Sequence, residues 1–374
     1  MIQVGISAFY HDSAVCVLKD GEVIVAAEEE RFTGIKHDSS WPEKALQWCL
    51  YEANIIDLNE VDEVCWYENP NIKKDRVIKI FNKRPFRTFF NRLKFLKSFK
   101  KEKNPEYILR KKWGYNGKIN FVDHHLSHAA FSYLTSPYKN AAILTVDGVG
   151  EWETVTISKG DGENIEKKLS IDFPHSLGML YSTLTAYLGF KPNEGEYKVM
   201  GLAPYGKPGV YLNQLKKIFH HPDKKFIINQ KYFTWEYDDR IMFNKKFCKL
   251  LRLAPRLPEE PITQKHKDLA AACQKLYEFE FLRLVKTAKL LTHSDNLVLG
   301  GGCAYNGVAN SKAYKFFKSI HIPFHPSDAG SAIGACLLKY KGTRKNNTSP
   351  FLGPKFHEYE ISRTIETYNN KIKS

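Results

Sequence analysis

The chain of 374 residues is 43% hydrophobic, which supplies apolar material for one large domain or two medium ones and excludes general disorder. Its formal net charge is +15. No run approaches the ~20 apolar residues of a membrane-spanning helix. The N-terminal MIQVGISAFYHDSAV resembles a strand entering a fold rather than a signal peptide. Seven dispersed cysteines, never in CxxC spacing, predict a reduced, cytoplasmic protein without a zinc-binding pattern.

Two stretches of the sequence, residues 4–32 and 143–171, resemble each other. Each has an apolar strand, an alternating strand, a turn at Asp20-Gly21 or Asp161-Gly162, and a further extended run. The segments AVCVLKDGEVI and TVTISKGDGENI nearly superpose, with one extra residue in the second. We therefore predict an internal duplication of a β-hairpin unit.

A strongly basic segment holds most of the excess charge. From Lys73 to Lys112 the chain has 16 Lys or Arg residues and three acidic residues, interleaved with aromatic side chains. This composition is compatible with binding to nucleic acid or to an anionic surface. It also fits a helical insertion with an apolar stripe, including Phe89 and Leu93, and a solvated basic face. Because no known nucleic-acid motif accompanies it, we favour a helical insertion at about residues 70–115 over a nucleic-acid partner.

Three histidines occur within VDHHLSHAA, residues 122–130. His124 and His128 are four residues apart, so on a helix their side chains share one face, about 5–6 Å apart at Cβ. This spacing allows both imidazoles to reach one metal ion, whereas His125 points elsewhere. An HxxxH pair also arises by chance on surface helices, so a structural role is the alternative at this point.

A metal site with two imidazoles needs further ligands, and carboxylates complete such sites for iron, manganese or zinc. Asp147 follows the predicted strand AAILTVD, and Asp328 begins the predicted helix of PSDAGSAIGACLLKY. Strand ends and helix starts are where α/β folds place their sites. Aspartate is also common in turns and at helix N-termini, so both residues are candidates rather than assigned ligands.

Helices are predicted at residues 42–54, 177–188 and 264–291 from start signals and helical spacing of apolar residues. The segment DNLVLGGGCAYNGVANSKAYKFF predicts a buried strand at 296–299, three glycines and a helix, an arrangement that cradles phosphates. Repeated hairpins, glycine-rich turns and crossover helices favour an α/β protein with duplicated ribonuclease-H-like lobes, as in the actin-like and sugar-kinase-like ATPase fold. An unrelated doubly wound α/β domain is the alternative.

Seven motifs of the sequence occur together in one protein family. In chain order they are GISAFYHDSAV (5–15), EEERFTGIKHD (28–38), VDHHLSHAAFSY (122–133), LTVDGVGEW (144–152), NEGEYKVMGLAPYG (193–206), LGGGCAYNGVAN (299–310) and HPSDAGSAIGA (325–335). These motifs span nearly the whole chain, and through them the sequence resembles the nodulation-type O-carbamoyltransferases. Their transferase lobe is related to the tRNA threonylcarbamoyladenosine transferase.

The resemblance implies roles for individual residues. His124, His128, Asp147 and Asp328 would hold a divalent metal, usually iron, with His125 as a bystander. His11 and Lys36 match positions tied to the transfer step. Residues expected to face the nucleotide or substrate are Asp12, Gly148, Lys198, Gly201, Gly300, Gly301, Gly302 and Asn306.

The implied reaction moves a carbamoyl group from carbamoyladenylate, which derives from ATP, to a hydroxyl group of a small-molecule acceptor. A metal would act as a Lewis acid on the carbonyl or would hold phosphate. His11 or Lys36 would stabilise charge on the carbonyl oxygen or orient the acceptor hydroxyl.

The sequence departs from the family in length. We expect a first lobe at residues 1–142, a second at 143–345, and at 346–374 a remnant of a linker towards a missing C-terminal domain. In the family that domain makes carbamoyladenylate, so a separately encoded adenylate-forming partner would be needed. Two other functions stay open: an actin-like ATPase or small-molecule kinase, and a non-catalytic remnant that acts as a binding module through its basic segment.

Overall fold

Two five-stranded sheets form the framework of the protein. The computed structural model describes residues 1–83, 85–238, 242–344 and 349–373. The first sheet consists of β1 (Ile2–Ser7), β2 (Ala14–Lys19), β3 (Glu22–Glu28), β4 (Glu63–Trp66) and β5 (Lys118–Phe121), in the spatial order β3-β2-β1-β4-β5. β1, β2 and β3 are antiparallel neighbours, whereas β4 pairs in parallel with β1 and with β5.

The second sheet repeats this arrangement. The remaining strands are β6 (Asn140–Val146), β7 (Glu153–Asp161), β8 (Asn164–Asp172), β9 (Phe219–His220), β10 (Ile227–Ile228), β11 (Asn296–Gly300) and β12 (Ser319–His321). β9 and β10 form a separate ribbon, and the others follow the order β8-β7-β6-β11-β12 with the same pattern of antiparallel and parallel pairs. The predicted duplicated lobes of the actin-like and sugar-kinase-like fold are therefore confirmed.

Helices connect the strands and cover the sheets. They are α1 (Glu30–Thr33), α2 (Glu43–Glu52), α3 (Pro70–Lys83), α4 (Pro85–Lys100), α5 (Pro105–Lys111), α6 (His124–Leu134), α7 (Leu177–Tyr187), α8 (Glu196–Leu202), α9 (Leu212–Lys216), α10 (Lys245–Leu251), α11 (Gln264–Thr292), α12 (Gly307–Asn310), α13 (Asp328–Lys339) and α14 (Glu358–Lys373). Short 3₁₀ segments lie at Leu58–Glu60, Ala203–Tyr205, Pro208–Val210, Gln230–Tyr232, Gly302–Tyr305 and Ser311–Lys315. The three helices predicted from spacing correspond to α2, α7 and α11.

The hairpin between β2 and β3 shows why the duplicated units turn where they do. Asp20 and Gly21 have φ angles of 48° and 80°, the left-handed geometry of a tight two-residue hairpin turn. Gly162 occupies the left-handed region at the corresponding hairpin between β7 and β8, with φ of 60°. Aspartate and glycine tolerate this geometry, so the turns and the register of both hairpins follow from local sequence.

Helices α6 and α13 pack against each other between the two sheets. α6 contacts β6, β7 and β11 of the second sheet, whereas α13 contacts β1, β2 and β4 of the first. The approach is close, because a Cβ atom on Gly334 of α13 would lie 2.0 Å from the carbonyl oxygen of Ser127 on α6. A helix from the second half of the chain thus completes the core of the first sheet. The predicted lobe boundary at residue 142 stays a prediction.

The basic segment forms the helical insertion that its composition indicates, as α3, α4 and α5. Arg76 of α3 is buried, donates a hydrogen bond from Nη1 to the carbonyl oxygen of Gly150 at 2.9 Å, and lies over the ring of Phe173. Leu93 is 51% exposed, so it does not form a buried stripe. The side chain of Phe89 lies outside the described residues.

The segment after α13 first follows the edge of the first sheet. The carbonyl oxygen of Leu352 accepts a hydrogen bond from the backbone N–H of Ala26 on β3 at 3.0 Å. α14 follows, and its residues 361–368 are exposed. The predicted linker at 346–374 stays a prediction, and residues 346–348 and 374 lie outside the described residues. No described helix is both long and apolar enough to cross a membrane.

Candidate active site

A cavity of about 440 Å³ opens where corresponding strands of the two sheets end. The loop after β1 contributes Tyr10, His11 and Asp12 to its wall, and the loop after β6 contributes Asp147 and Gly148. Further wall residues come from α7, α8, α11 and the loop after β11. The carboxyl ends of sheet strands are the usual place for a ligand in α/β folds.

Four side chains form a buried cluster next to this cavity, His124, His128, Asp147 and Asp328, and of these Asp147 lines the cavity wall. The Nε2 atom of His124 lies 3.0 Å from Oδ2 of Asp147, 3.1 Å from Nε2 of His128 and 3.6 Å from Oδ1 of Asp328. Nε2 of His128 lies 3.3 Å from Oδ1 of Asp328 and 3.7 Å from Oδ2 of Asp147. All four residues are buried. The structure thus brings together the four residues that the sequence predicts as ligands.

Second contacts orient these side chains. Oγ of Ser331 lies 2.9 Å from Nδ1 of His128, so Nε2 of that ring faces the cluster. The backbone N–H of Gly302 donates to Oδ1 of Asp147 at 3.0 Å. The carboxylate of Glu151 accepts from the N–H of His124, at the N-terminus of α6, at 3.1 Å to each oxygen. Hydrogen bonds between residues distant in sequence therefore help to fix the side chains of His128 and Asp147 and the backbone of His124.

Opposite charges within the cluster stabilise one another. Burial opposes the protonated form of each ring, but Asp147 and Asp328 outweigh it, raising the pKa of His124 and raising the pKa of His128 to about 9. Burial also opposes the charge of Asp147, yet the two histidines hold its pKa well below the usual range. A metal ion would replace these protons, because it binds neutral imidazole and ionised carboxylate.

The residues fit a metal ion. Bonds of ~2.0–2.1 Å to a tetrahedral ion separate neighbouring ligand atoms by ~3.3 Å, and the five separations above run from 3.0 to 3.7 Å. Two imidazole Nε2 atoms face each other, an arrangement in which at most one can donate a hydrogen bond to the other. Oδ2 of Asp328, which is buried, has no hydrogen-bond partner among the described residues. Two imidazoles with two carboxylates suit iron, manganese or zinc.

His125 lies beside the cluster but faces away from it. Its Nδ1 is 3.5 Å from Oγ1 of Thr156, and burial holds its pKa well below the usual range. A Cβ atom on Gly150 would lie 3.0–3.1 Å from the rings of His124 and His125, so this glycine gives both rings room. His125 is thus a packed core residue, as its position on the other face of the helix predicts.

His11 and Asp12 lie above the cluster in the cavity wall. Nδ1 of His11 is 4.0 Å from Oδ2 of Asp12. Burial opposes the charge on His11, but Asp12 and the more distant Asp328 and Asp147 raise its pKa to about 9. Burial opposes the charge on Asp12 as well, and His11 and His37 lower its pKa to about 2. In the metal-free chain this pKa favours the imidazolium of His11 at neutral pH, a form that can donate a hydrogen bond to a developing oxyanion.

Other predicted site residues lie at different places. Lys36 is exposed and lies over the ring of Tyr197, with Nζ 5.9 Å from the centroid. Lys198 approaches the same ring, with Nζ 5.8 Å from the centroid. Tyr197 lines the cavity, whereas Lys36, Lys198 and Gly201 are not part of its wall. Lys36 lies at the mouth of the cavity, and Lys198 and Gly201 lie on the exposed side of α8. The roles of these three residues stay predictions.

The glycine loop after β11 packs more tightly than a phosphate cradle requires. A Cβ atom on Gly300 would lie 2.6 Å from Oγ of Ser132, and one on Gly301 would lie 2.3 Å from the carbonyl oxygen of Val146. The N–H of Gly301 donates to Pro326 and that of Gly302 to Asp147. Of the three glycines only Gly302 lines the cavity. The helix after them is the short α12 between two 3₁₀ segments, so nucleotide contacts of Gly300–302 stay a prediction.

Asn306 does line the cavity, where its amide is held in a fixed orientation. Its Nδ2 donates to Oε1 of Gln274 on α11, and its Oδ1 accepts from Nε2 of the same residue, both at 3.0 Å. Gly148 also lines the cavity, beside Met179.

Sequence reasoning missed His37 and Glu151. The ring of His37 lines the cavity, and its Nδ1 lies 2.6 Å from Oδ1 of Asp12. The signal for His37 was present, because it directly follows the predicted Lys36 in the motif GIKHD. Glu151 follows the VDGVG segment closely, but its hydrogen bond to His124 joins residues far apart in the sequence and leaves no local pattern.

A family model described as "Carbamoyltransferase N-terminus" matches residues 2–337. The chain belongs to this carbamoyltransferase family. It is 40% identical to the uncharacterized protein sll1178 of Synechocystis sp., over 97% of this chain and 62% of that protein. It is 30% identical to the nodulation protein NolNO of Sinorhizobium fredii, over 89% of this chain and 46% of that protein. The chain thus spans about half to three-fifths of the length of these relatives.

Solved structures with similarity to this member of the carbamoyltransferase family have low sequence identity. The activator of 2-hydroxyisocaproyl-CoA dehydratase from Clostridium difficile, with bound ADPNP, is 12% identical with a TM-score of 0.46, covering 99% of this chain and 98% of that one. The ROK hexokinase from Thermus thermophilus is 12% identical with a TM-score of 0.40, covering 90% and 98%. The fold assignment rests on the strand order of the two sheets.

Proposed function

We propose that the chain is the transferase part of an O-carbamoyltransferase, which moves a carbamoyl group from carbamoyladenylate to a hydroxyl group of a small-molecule acceptor. The observation that carries this proposal is the buried cluster of two histidines and two aspartates, of which Asp147 lines the cavity. Membership of the carbamoyltransferase family supports the class of reaction.

In this proposal His124, His128, Asp147 and Asp328 hold a divalent metal ion, which we take to be Fe²⁺ from the family resemblance. When bound, the ion supplies Lewis-acid polarisation of a carbonyl or phosphoryl oxygen. The chain's own contribution is to orient the ligands through Ser331 and the Gly302 amide, and to bury the site.

The wall above the cluster suits an adenylate. Met179, Tyr181, Met200 and Tyr277 provide apolar and aromatic surface on one side, and the fixed amide of Asn306 lies beside them. His11 also lines the cavity, where its imidazolium would donate a hydrogen bond to the carbamoyl oxygen as negative charge develops there. Lys36 at the mouth would attract the anionic donor.

We assign the ATP-dependent synthesis of carbamoyladenylate to a separate adenylate-forming domain, encoded in the same or another chain. The support is the length comparison, since this chain covers 62% and 46% of the two relatives named above.

The proposal is tested by metal analysis and by transfer from supplied carbamoyladenylate. We expect the purified chain to hold stoichiometric metal and to release AMP when carbamoyladenylate and a panel of sugars and polyols are added. His124→Ala and His128→Ala should each lose the metal and the transfer. His220→Ala is the matched control, because His220 is an exposed histidine on β9.

Two results would contradict the proposal. Metal that remains stoichiometric in both variants would exclude the ligand assignment. ATP hydrolysis that needs only Mg²⁺ and is indifferent to both histidines, without any transfer from carbamoyladenylate, would instead identify an actin-like ATPase or kinase.

A further inference from the structure

The loop after α1 holds His37 in a fixed position at the cavity. His37 has a φ of 56°, in the left-handed region that non-glycine residues rarely occupy. Its backbone N–H donates to Oε2 of Glu30 at 2.8 Å. The next residue, Asp38, accepts from Oγ1 of Thr33 and from the N–H of Ser40, both at 2.9 Å. Backbone strain that a surrounding network maintains is concentrated at functional sites.

Asp12 fixes the tautomer of this ring. Oδ1 of Asp12 is 2.6 Å from Nδ1 of His37, and the carboxylate accepts, so Nδ1 carries a proton and Nε2 is the nitrogen that holds the lone pair in the neutral ring. Among the residues the structure describes, none forms a hydrogen bond with Nε2 of His37. The ring lines the cavity with its side chain 26% exposed. This is the geometry of a carboxylate–histidine pair whose free nitrogen can take a proton.

Transfer to a hydroxyl group requires a group that accepts the hydroxyl proton. His11 lies beside Asp12, with Nδ1 4.0 Å from Oδ2, and in the metal-free chain the carboxylates around it raise its pKa to about 9 against the effect of burial, which disfavours it as a base. Asp12 is a weak base, because the two histidines lower its pKa to about 2 against the effect of burial. Glu196 is engaged with Ser182 and with the N–H of Asn193.

Resting on the proposed function, we infer that His37, oriented by Asp12, is the general base that accepts the proton of the acceptor hydroxyl. The acceptor oxygen forms a bond to the carbamoyl carbon as its proton passes to Nε2 of His37. The bond between that carbon and the phosphate oxygen breaks, and AMP leaves with the electron pair. The imidazolium then returns its proton to solvent, so atoms and charge balance.

The test compares nucleophiles that differ in their need for a base. Wild-type chain and His37→Gln are given synthetic carbamoyladenylate with either glycerol or hydroxylamine, and the carbamoylated products are measured beside AMP. Hydroxylamine is already a strong neutral nucleophile, so its attack depends little on a base. We expect His37→Gln to lower transfer to glycerol by roughly 10²-fold or more, to change transfer to hydroxylamine little, and to keep its metal.

Asp12→Asn should also lower transfer to glycerol, because the amide donates to Nδ1 and places the proton on Nε2. His220→Gln serves as the matched control, with both transfers unchanged. Retained transfer to glycerol in His37→Gln would overturn the role of His37 while leaving the proposed function intact. A parallel loss with both nucleophiles would show a structural role and overturn the inference. A wild-type chain that transfers the carbamoyl group to neither nucleophile would overturn both the proposed function and this inference. A wild-type chain that transfers it to hydroxylamine but not to glycerol would overturn the inference alone.

Discussion

At the scale of single residues, His11 and Asp12 show how neighbouring charges are kept in a buried wall. Asp12 stabilises the imidazolium of His11, and His11 and His37 stabilise the carboxylate of Asp12. The folded state therefore binds the His11 proton more tightly than the unfolded state does. Such a difference in pKa makes stability depend on pH.

We predict that His11 stabilises the metal-free chain at pH values below 6.5 and that this contribution disappears as the pH rises through about 9. The raised pKa corresponds to a loss of about 3 kcal/mol in the free energy of unfolding. Urea unfolding below pH 6.5 and above about pH 9 should show this loss of free energy in the wild-type chain and a smaller loss in His11→Gln. Equal pH dependence in both would contradict the prediction, and His220→Gln is the control.

Residue types and their spacing predicted which four side chains form the cluster, but they did not predict the residues that surround it. The i, i+4 spacing of His124 and His128 and the placement of Asp147 and Asp328 at element ends are local features, and the structure brings the four together. The contact of Ser331 with His128 joins positions that are 203 residues apart, which no local pattern encodes. Tertiary packing alone sets that contact.

At the scale of elements, α6 and α13 determine the site because each carries ligands. Small residues on α13 permit the close approach, and the sequence DAGSAIGA made a tightly packed helix predictable without identifying its partner. The predicted hairpin units correspond to the antiparallel neighbours β1, β2 and β3 in the first sheet and β6, β7 and β8 in the second, whereas the order of the remaining strands was not predicted. Nor was the position of α13 on the first sheet predicted, since it depends on contacts between distant segments.

We predict that Gly334→Ala destabilises the chain by about 1–3 kcal/mol or more, the usual range for overpacking. The added Cβ would lie 2.0 Å from the carbonyl oxygen of Ser127, so the two helices must separate. Because the ligands lie on these helices, the affinity for metal should fall with the stability. Urea unfolding and metal titration measure both quantities.

Gly209→Ala provides the matched control. A Cβ atom on Gly209 would meet no atom within 4 Å, and its φ is not in the left-handed region. If Gly334→Ala unfolds at the same urea concentration as Gly209→Ala, the close packing of α6 on α13 is not a constraint on the fold.

At the scale of the whole molecule, the cluster of two histidines and two aspartates joins three segments that are distant in sequence. The ligands come from α6, from the end of β6 and from the start of α13, which itself lies on the first sheet. An ion bound to all four side chains would exist only in the folded state. Binding should therefore stabilise the fold by mass action.

We predict that Mn²⁺, used as a redox-stable probe, raises the melting temperature, and that at 100 times its Kd the gain is about 2.7 kcal/mol. Asp328→Asn, which keeps the shape of the side chain but loses its charge, should remove most of the gain. Calorimetry with and without the ion measures the effect. An equal shift in Asp328→Asn and wild type would show that the ion binds elsewhere.

The residues at the cavity mouth are distinct from those of the buried cluster, and this separation affects how such a protein can evolve. Glu194 and Tyr197 line the cavity and the exposed Lys36 lies over the ring of Tyr197, whereas the four cluster residues are buried. Substitutions at the mouth can change which molecule enters while the reacting centre and its supporting framework stay the same. One scaffold can thereby diversify into many substrate preferences, and directed evolution of this protein should begin at residues 193–197.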